Sequence, residues 1–317
     1  MRNLSLLSLS APLLLAGSAA AFNNSCGGTF FEYYNASGSV AIPGFRVNDS
    51  YPASTWTWSK YVSNIDVGTN RTSAWSTLGL KTDPVQNLSD AANVPYTACV
   101  FAMTELASAI SKKGSTDDGT CSSVFSSSCV SEIISAVNAS AASLSSTASG
   151  SASGFSCPSL LRGVSQDCQK LWTGSVSTQF LVRNFTGNSN PRCPANETVN
   201  PGDSDSVHSA FFGWSSYNDD VGATNFTSYD AAIEYPTPLI VAAWLKATTN
   251  SSTSGPVMSG ANGWADTRLL CVTANQSVAG SRNVTQARQE SGAVGREGVG
   301  LGVLALAASA LAFASYL

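Results

Sequence analysis

Of the chain's 317 residues only 11% are charged, the net charge is −4, and a single histidine accompanies eight cysteines. The weak acidity excludes the basic surface that phosphate-backbone binding needs, so nucleic acid is not an expected partner. One histidine excludes zinc sites built on two or more imidazoles, while the length suffices to bury a sizeable core.

In chain order, Met1-Arg2-Asn3, an apolar stretch from Leu4 to Gly17 and then Ala19-x-Ala21 read as a secretory signal peptide, residues 1–21, cut after Ala21. Residues 22–92 read as β-rich. Thr29–Tyr34 is aromatic and strand-forming, and Ser39–Ile42 runs into the turn signal Pro43-Gly44. Thr55-Trp56-Thr57-Trp58-Ser59 alternates with period two, and Ser73–Leu78 is a further strand candidate.

The middle changes character. Cys99, Met103, Leu106 and Ile110 share one face of a helix predicted over 95–113, closed by Lys112, Lys113 and Gly114. Thr116–Gly119 is a turn. A second helix is predicted from Ser128 to about Leu144, with Cys129, Ile133, Val137 and Ala141 on its buried face. Residues 139–156 hold eight serines with Ala and Gly and read as a loop open to O-glycosylation. A third helix is predicted over 158–172, with Pro158 in its first turn.

Strands return at Thr178–Arg183, Ser209–Trp214, Leu239–Trp244 and Arg268–Thr273, around a polar loop at 187–206. No internal repeat is visible, which disfavours tandem-repeat adhesins. The fold class is therefore α+β. A β-sheet built from N- and C-terminal strands carries an inserted disulfide-stapled helical segment at about 95–173, all within one domain spanning 22–275.

A polar stem over 276–291 follows the domain. Ser291-Gly292-Ala293, a short polar spacer and the uncharged run Gly298–Leu317 form the signal for a glycosylphosphatidylinositol (GPI) anchor. Ser291 is the expected attachment residue and Gly292 the second choice, so that 292–317 is a removed propeptide. No basic residue follows the apolar run to hold a spanning helix in place.

Asn-x-Ser/Thr sequons occur at Asn23, Asn35, Asn48, Asn70, Asn87, Asn138, Asn184, Asn196, Asn225, Asn250, Asn275 and Asn283. Glycans on them would supply hydration that charged side chains normally give. The cysteines are Cys26, Cys99, Cys121, Cys129, Cys157, Cys168, Cys193 and Cys271. An even number in an exported chain implies four disulfides. One pairing is excluded: eleven residues of helix would hold Cys157 and Cys168 roughly 16 Å apart, beyond the ~7 Å reach of a disulfide. These two cysteines should staple their segment to two others. No CxxC occurs, which disfavours redox motifs and zinc ribbons. Adjacent Cys-Cys pairs, as in hydrophobins, are absent. The cysteines extend from 26 to 271, unlike the compact eight-cysteine haem-binding CFEM module.

The sequence of cysteines, with Cys99 first, then Asp117-Asp118-Gly119-Thr120-Cys121, Cys129, Cys157, Cys168 and a late Leu269-Leu270-Cys271-Val272 strand, resembles uncharacterised secreted, GPI-anchored, cysteine-containing cell-surface proteins of filamentous fungi. The resemblance implies an extracellular, surface-attached protein and carries no activity with it.

The search for chemistry yields few candidates. No G-x-S-x-G elbow is present. His208 is the only base for a serine triad, and with Asp203 and Asp205 it forms a polar run without the full calcium-loop pattern. Glu32 and Glu234 are the best carboxylate pair for glycoside hydrolysis. The mature N-terminus falls at Phe22, which excludes a copper mono-oxygenase needing an N-terminal histidine. Trp56 and Trp58 share a strand face and suit either the core or a sugar-stacking platform. No metal or cofactor is expected.

The sequence thus reads as a GPI-anchored, N-glycosylated fungal cell-surface or cell-wall protein. It would sit on the outer leaflet of the plasma membrane and interact with cell-wall polysaccharide in a structural or adhesive role without catalysis. The alternative is a wall-glycan-processing enzyme using a pair of carboxylates.

Overall fold

The computed structural model describes residues 34–49, 51–86, 88, 94–104, 114–146, 157–171, 180–184, 209–215, 220–222, 225–245 and 263–283. Two antiparallel sheets and a helical layer are stacked. The first sheet has the order β10-β1-β2-β3-β6, with β7 also on β3. Its strands are β1 (Ala36–Pro43), β2 (Thr55–Gly68), β3 (Arg71–Asp83), β6 (Ser209–Ser215), β7 (Asp220–Val221) and β10 (Gln276–Ser277). The second sheet has the order β5-β4-β8-β9. It consists of β4 (Tyr96–Met103), β5 (Phe180–Asn184), β8 (Thr237–Leu245) and β9 (Ala265–Val272).

The long β2–β3 hairpin is the backbone of the first sheet. Gly68 pairs with Arg71 across a two-residue turn, and Thr69 and Asn70 both have positive φ (54° and 59°). That is the conformation whose twist matches a hairpin. On β2, Trp56, Trp58, Lys60 and Val62 point to the same side because side chains alternate along a strand. Trp56 and Trp58 pack with Leu78, Leu80, Tyr96, Val100, Val241 and Leu270 between the two sheets.

The opposite face of the second sheet is covered by α1 (Ser127–Ser146), a 3-10 helix at Cys157–Gly163 and the short α2 (Gln166–Gln169). Cys99, Phe101, Ile240, Ala242 and Cys271 meet Ile133, Val137, Ala141 and Leu160 there. α1 starts where the Ser126 hydroxyl accepts the Cys129 N–H at 3.3 Å, an N-cap. Its buried face is the predicted one. A third helix, α3 (Thr227–Glu234), covers the part of the first sheet that the second leaves open, through Tyr229 and Ile233 against Val62 and Ala74.

The α+β class and the disulfide-stapled helical segment are as expected, but the loop expected over 139–156 is helix as far as Ser146, α3 has no counterpart among the expected elements, and three further differences stand out. The sheet is divided into two stacked sheets. The helix predicted over 95–113 is strand from Tyr96 to Met103; residues 105–113 lie outside the described set. Cys99 and Met103 are four apart, a spacing shared by one helix face and one strand face. Both faces of β4 are buried, so no polar alternation marks the period. Finally, the third predicted helix is broken into the 3-10 turn and α2, with Ser165 as N-cap between them.

Cys157 bonds Cys99 on β4, and Cys168 bonds Cys129 on α1. The segment is therefore stapled to two others, as expected. Cys121 bonds Cys271, 150 residues away. Cys26 and Cys193 lie outside the described residues.

Candidate functional site

The tryptophan platform is ruled out by burial. Trp56 and Trp58 are both 0% exposed, and the Trp56 indole N–H donates to Gln86 Oε1 at 2.9 Å. Their alternation with Thr55, Thr57 and Ser59 marks the inward face of β2, not a sugar-stacking surface. Of the carboxylate pair, Glu234 ends α3 half-buried. Glu32 lies outside the described residues, as do His208, Asp203, Asp205, Ser291 and Gly292.

Among the sequons, Asn48, Asn70, Asn275 and Asn283 are exposed, whereas Asn35, Asn138 and Asn225 are partly buried. Asn35 is engaged on both sides of its amide. Its Oδ1 accepts the Asn64 N–H at 2.7 Å, and its Nδ2 donates to Ser281 Oγ at 3.2 Å. Asn23, Asn87, Asn196 and Asn250 lie outside the described set, as does the side chain of Asn184.

Most described charged side chains with buried contacts hold loops or helices. Asp117 gathers the N–H groups of Gly119, Cys121 and Ser123 and the Ser123 hydroxyl, at 2.6–3.0 Å. It thereby shapes the turn that carries Cys121 to Cys271. Glu132 on α1 accepts the Ser165 N–H at 2.5 Å. Asp230 and Arg282 form a two-pronged ion pair at 2.6 and 2.5 Å, and Arg282 also lies over the Phe226 ring. Among the described residues no group of three or more His, Cys, Asp or Glu side chains is placed to hold a metal ion.

Lys60 is a different case, and sequence reasoning missed it. It is 3% exposed and lies between the inter-sheet core and the α3 cluster. Gly38 and Leu78 pair with it across the sheet. A side chain at Gly38 would meet the Thr273 carbonyl at 1.8 Å, so this crossing is closed by backbone. Lys60 Nζ donates to the carbonyl of Tyr235 at 3.0 Å, at the C-terminal end of α3. A cation there meets the negative end of the helix. Burial still lowers the amine's pKa to about 7. Near neutral pH the site thus offers an amine that gains or loses a proton easily, but one enclosed in the core. Its place in the β2 alternation was the signal: Trp56, Trp58 and Val62 on the same face imply that position 60 also faces inward.

The second missed feature is a corner where the Pro43–Ser54 connection meets β4 and β9. Phe45 lies 5.1 Å from Trp56 and 5.9 Å from Tyr96, ring centre to ring centre. Tyr96 in turn contacts Tyr51 at 5.8 Å and Trp264 at 6.1 Å. Phe45 and Tyr96 are buried, while Tyr51 and Trp264 are half-buried.

Polar bonds fix this corner. Arg46 donates to the carbonyls of Tyr51 and Asp49, and Asn48 Oδ1 accepts the Tyr51 N–H. Arg268 reaches across from β9, 4.9 Å above the Phe45 ring, and its Nη2 pairs with Asp266 at 2.9 Å. Its Nη1 is buried without a hydrogen bond, whereas the Tyr96 hydroxyl is hydrogen-bonded with that of Tyr51. Burial raises the phenol pKa of both Tyr51 and Tyr96, so both rings stay neutral at ordinary pH.

The two ends of the molecule differ. The aromatic corner lies where Pro43 pairs with Thr55. At the other end of β1, Ala36 pairs with both Val62 and Ser277. The chain leaves from there through Ser281 to Asn283, held by Arg282. Eight residues of strand place these ends roughly 25 Å apart.

Comparison with protein-family models, with curated proteins and with solved structures finds no match for this chain.

Proposed function

We propose that the protein is a GPI-anchored, N-glycosylated cell-surface or cell-wall protein of fungal type that acts by presenting a binding domain. The supporting observation is the return of the chain to one end. β10 lies beside β1, the Val278 N–H donates to the Asn35 carbonyl at 2.8 Å, and the Asp230–Arg282 pair fastens the last described turn. A stem leaving there would point the aromatic corner away from the membrane.

The three disulfides among the described residues fit an oxidising compartment. The described carboxylates Asp117, Glu132 and Asp230 bond to the protein's own backbone or arginine, which favours scaffold over catalyst. Treating cells that display the full chain with phosphatidylinositol-specific phospholipase C tests the attachment. Release into the medium is expected, and retention after complete digestion of a control GPI protein would rule it out.

A further inference from the structure

We propose that the Cys129–Cys168 bond is where external thiols enter the disulfide framework of this domain, and that Glu132 is a positioning residue that slows its opening. The three disulfides among the described residues differ in access. Cys99 and Cys157 are buried, as are Cys121 and Cys271. Cys168 is buried too, but its partner Cys129, in the first turn of α1, is only partly covered. An incoming thiolate therefore meets the described framework at Cys129.

Exchange is a displacement at sulfur. The external thiolate bonds to Cys129 Sγ as the Cys129–Cys168 bond breaks. The electron pair leaves on Cys168 Sγ, which then takes a proton from water. Negative charge thus develops on Cys168, and Glu132 Oε2 lies 3.3 Å from that sulfur. A carboxylate at this distance opposes a second negative charge and raises the pKa of the departing thiol. A thiol of higher pKa leaves more slowly. The charges of α2 and its C-cap, Asp167 and Lys170, are paired with each other at 2.7 Å.

The carboxylate also accepts the Ser165 N–H through Oε1. A glutamine would accept that N–H equally well, so the hydrogen bond does not require the charge. The sulfur beside Oε2 is where the charge has an effect. Once the bond opens, the 157–171 segment keeps its tether from Cys157 to Cys99 and loses the one that ties it to α1. Exchange would release this junction while Cys121–Cys271 still cross-links the domain.

The test exposes the secreted, glycosylated full chain, under native conditions, to dithiothreitol, to cationic cysteamine and to anionic thioglycolate. With dithiothreitol, the second thiol displaces Cys129 and closes the oxidised ring. Free thiols are alkylated at intervals and mapped by mass spectrometry. Cys129 and Cys168 should be labelled about tenfold faster than Cys99, Cys157, Cys121 and Cys271. Glu132→Gln should speed their labelling about fivefold, the size of one like-charge contact next to water, and leave the other two bonds unchanged. Glu132 also repels an incoming anion. Relative to their rates on a small disulfide, cysteamine should outrun thioglycolate on the parent protein. That preference should shrink in Glu132→Gln and at high salt. A purely structural Glu132 would instead make all three thiols faster alike when replaced.

Reduction of either buried bond as fast as Cys129–Cys168 would overturn the proposal. So would a rate and a charge preference that Glu132→Gln leaves unaltered.

Discussion

The second sheet is buried on both faces, and the two faces are held differently. Toward the first sheet it meets Trp56, Trp58, Leu78, Leu80 and Phe45, a large-residue core without a cysteine. Toward the helical layer it meets α1, a 20-residue helix rich in serine and alanine, and the 3-10 turn. All six cysteines bonded among the described residues are on that side. Small side chains remove little apolar surface from water, at roughly 25 cal/mol per Å². Ordering a backbone residue costs about 1–2 kcal/mol wherever it happens. The helical layer offsets that cost partly through cross-links, which restrict the unfolded chain instead of adding contacts. The inter-sheet side does it by burial alone.

The contrast is broken most directly at Cys121–Cys271. The loop it closes is the longest of the three, so removing the bond by a double alanine substitution should cost roughly 4–5 kcal/mol. Hydrogen exchange in that variant should show lost protection in α1 before the β2–β3 hairpin. Equal loss in both would mean that the two faces form one cooperative unit, and the distinction would disappear. Trp58→Ala probes the other side, where a cavity between the sheets should cost about 3–5 kcal/mol. Chemical denaturation of the oxidised protein measures it, and a cost under 1 kcal/mol would show that this core is less tightly packed than its 0% exposure implies.

The same contrast explains what the sequence made legible. On the inter-sheet side, β2 alternates polar and apolar residues because one of its faces leaves the core, and its strand was readable from Trp56 and Trp58. β4 and β8 are buried on both faces. Their periodicity is therefore erased, and Cys99 with Met103 suited a helix as well as a strand. In the helical layer the amphipathic pattern of Ile133, Val137 and Ala141 survived, because the outer face of α1 is solvated. The exclusion of a Cys157–Cys168 bond held even though the segment is broken. The aromatic corner was not legible at all. Phe45, Tyr51, Tyr96, Trp264 and Arg268 come from three segments spread over more than 200 residues, and only the stacking of the two sheets brings them together.

Lys60 tests whether the inter-sheet side depends on burial alone. Its folded pKa of about 7 lies below the ordinary lysine value of 10.5. Between these pH values the unfolded chain binds the proton and the folded chain does not. Stability should therefore rise with pH across that window by up to ~1.4 kcal/mol per unit. Above pH 10 the trend reverses, because the raised phenols of Tyr96 and Tyr229 stay protonated only in the folded state. Lys60→Met should be more stable than the parent at pH 7, with the gap closing toward pH 10. Denaturant midpoints at several pH values check this. Parallel curves for parent and variant would show that the amine stays charged in the core, sustained by the Tyr235 carbonyl and the end of α3.

The smallest effect gives the sharpest view of the helical layer. Glu132 on α1 and the Cys129–Cys168 bond span the same junction, between α1 and the segment that begins at Ser165. One is a hydrogen bond from a backbone N–H to a carboxylate, the other a covalent tether. Glu132→Ala in the oxidised protein should cost about 1 kcal/mol, less than the ~1.5–3 kcal/mol usual for a bond to a charged group because this one is exposed to water. If the tether is what keeps Ser165 within reach, the same substitution should cost almost nothing once Cys129 and Cys168 are alanine, because the bond is already lost when the junction opens. The double-mutant cycle then yields a coupling of roughly 0.5–1 kcal/mol. If Glu132→Ala costs the same in both backgrounds, packing through Leu160, Val164 and Ile133 holds the junction without the disulfide. The two faces of the second sheet would then differ in composition but not in how they are stabilised.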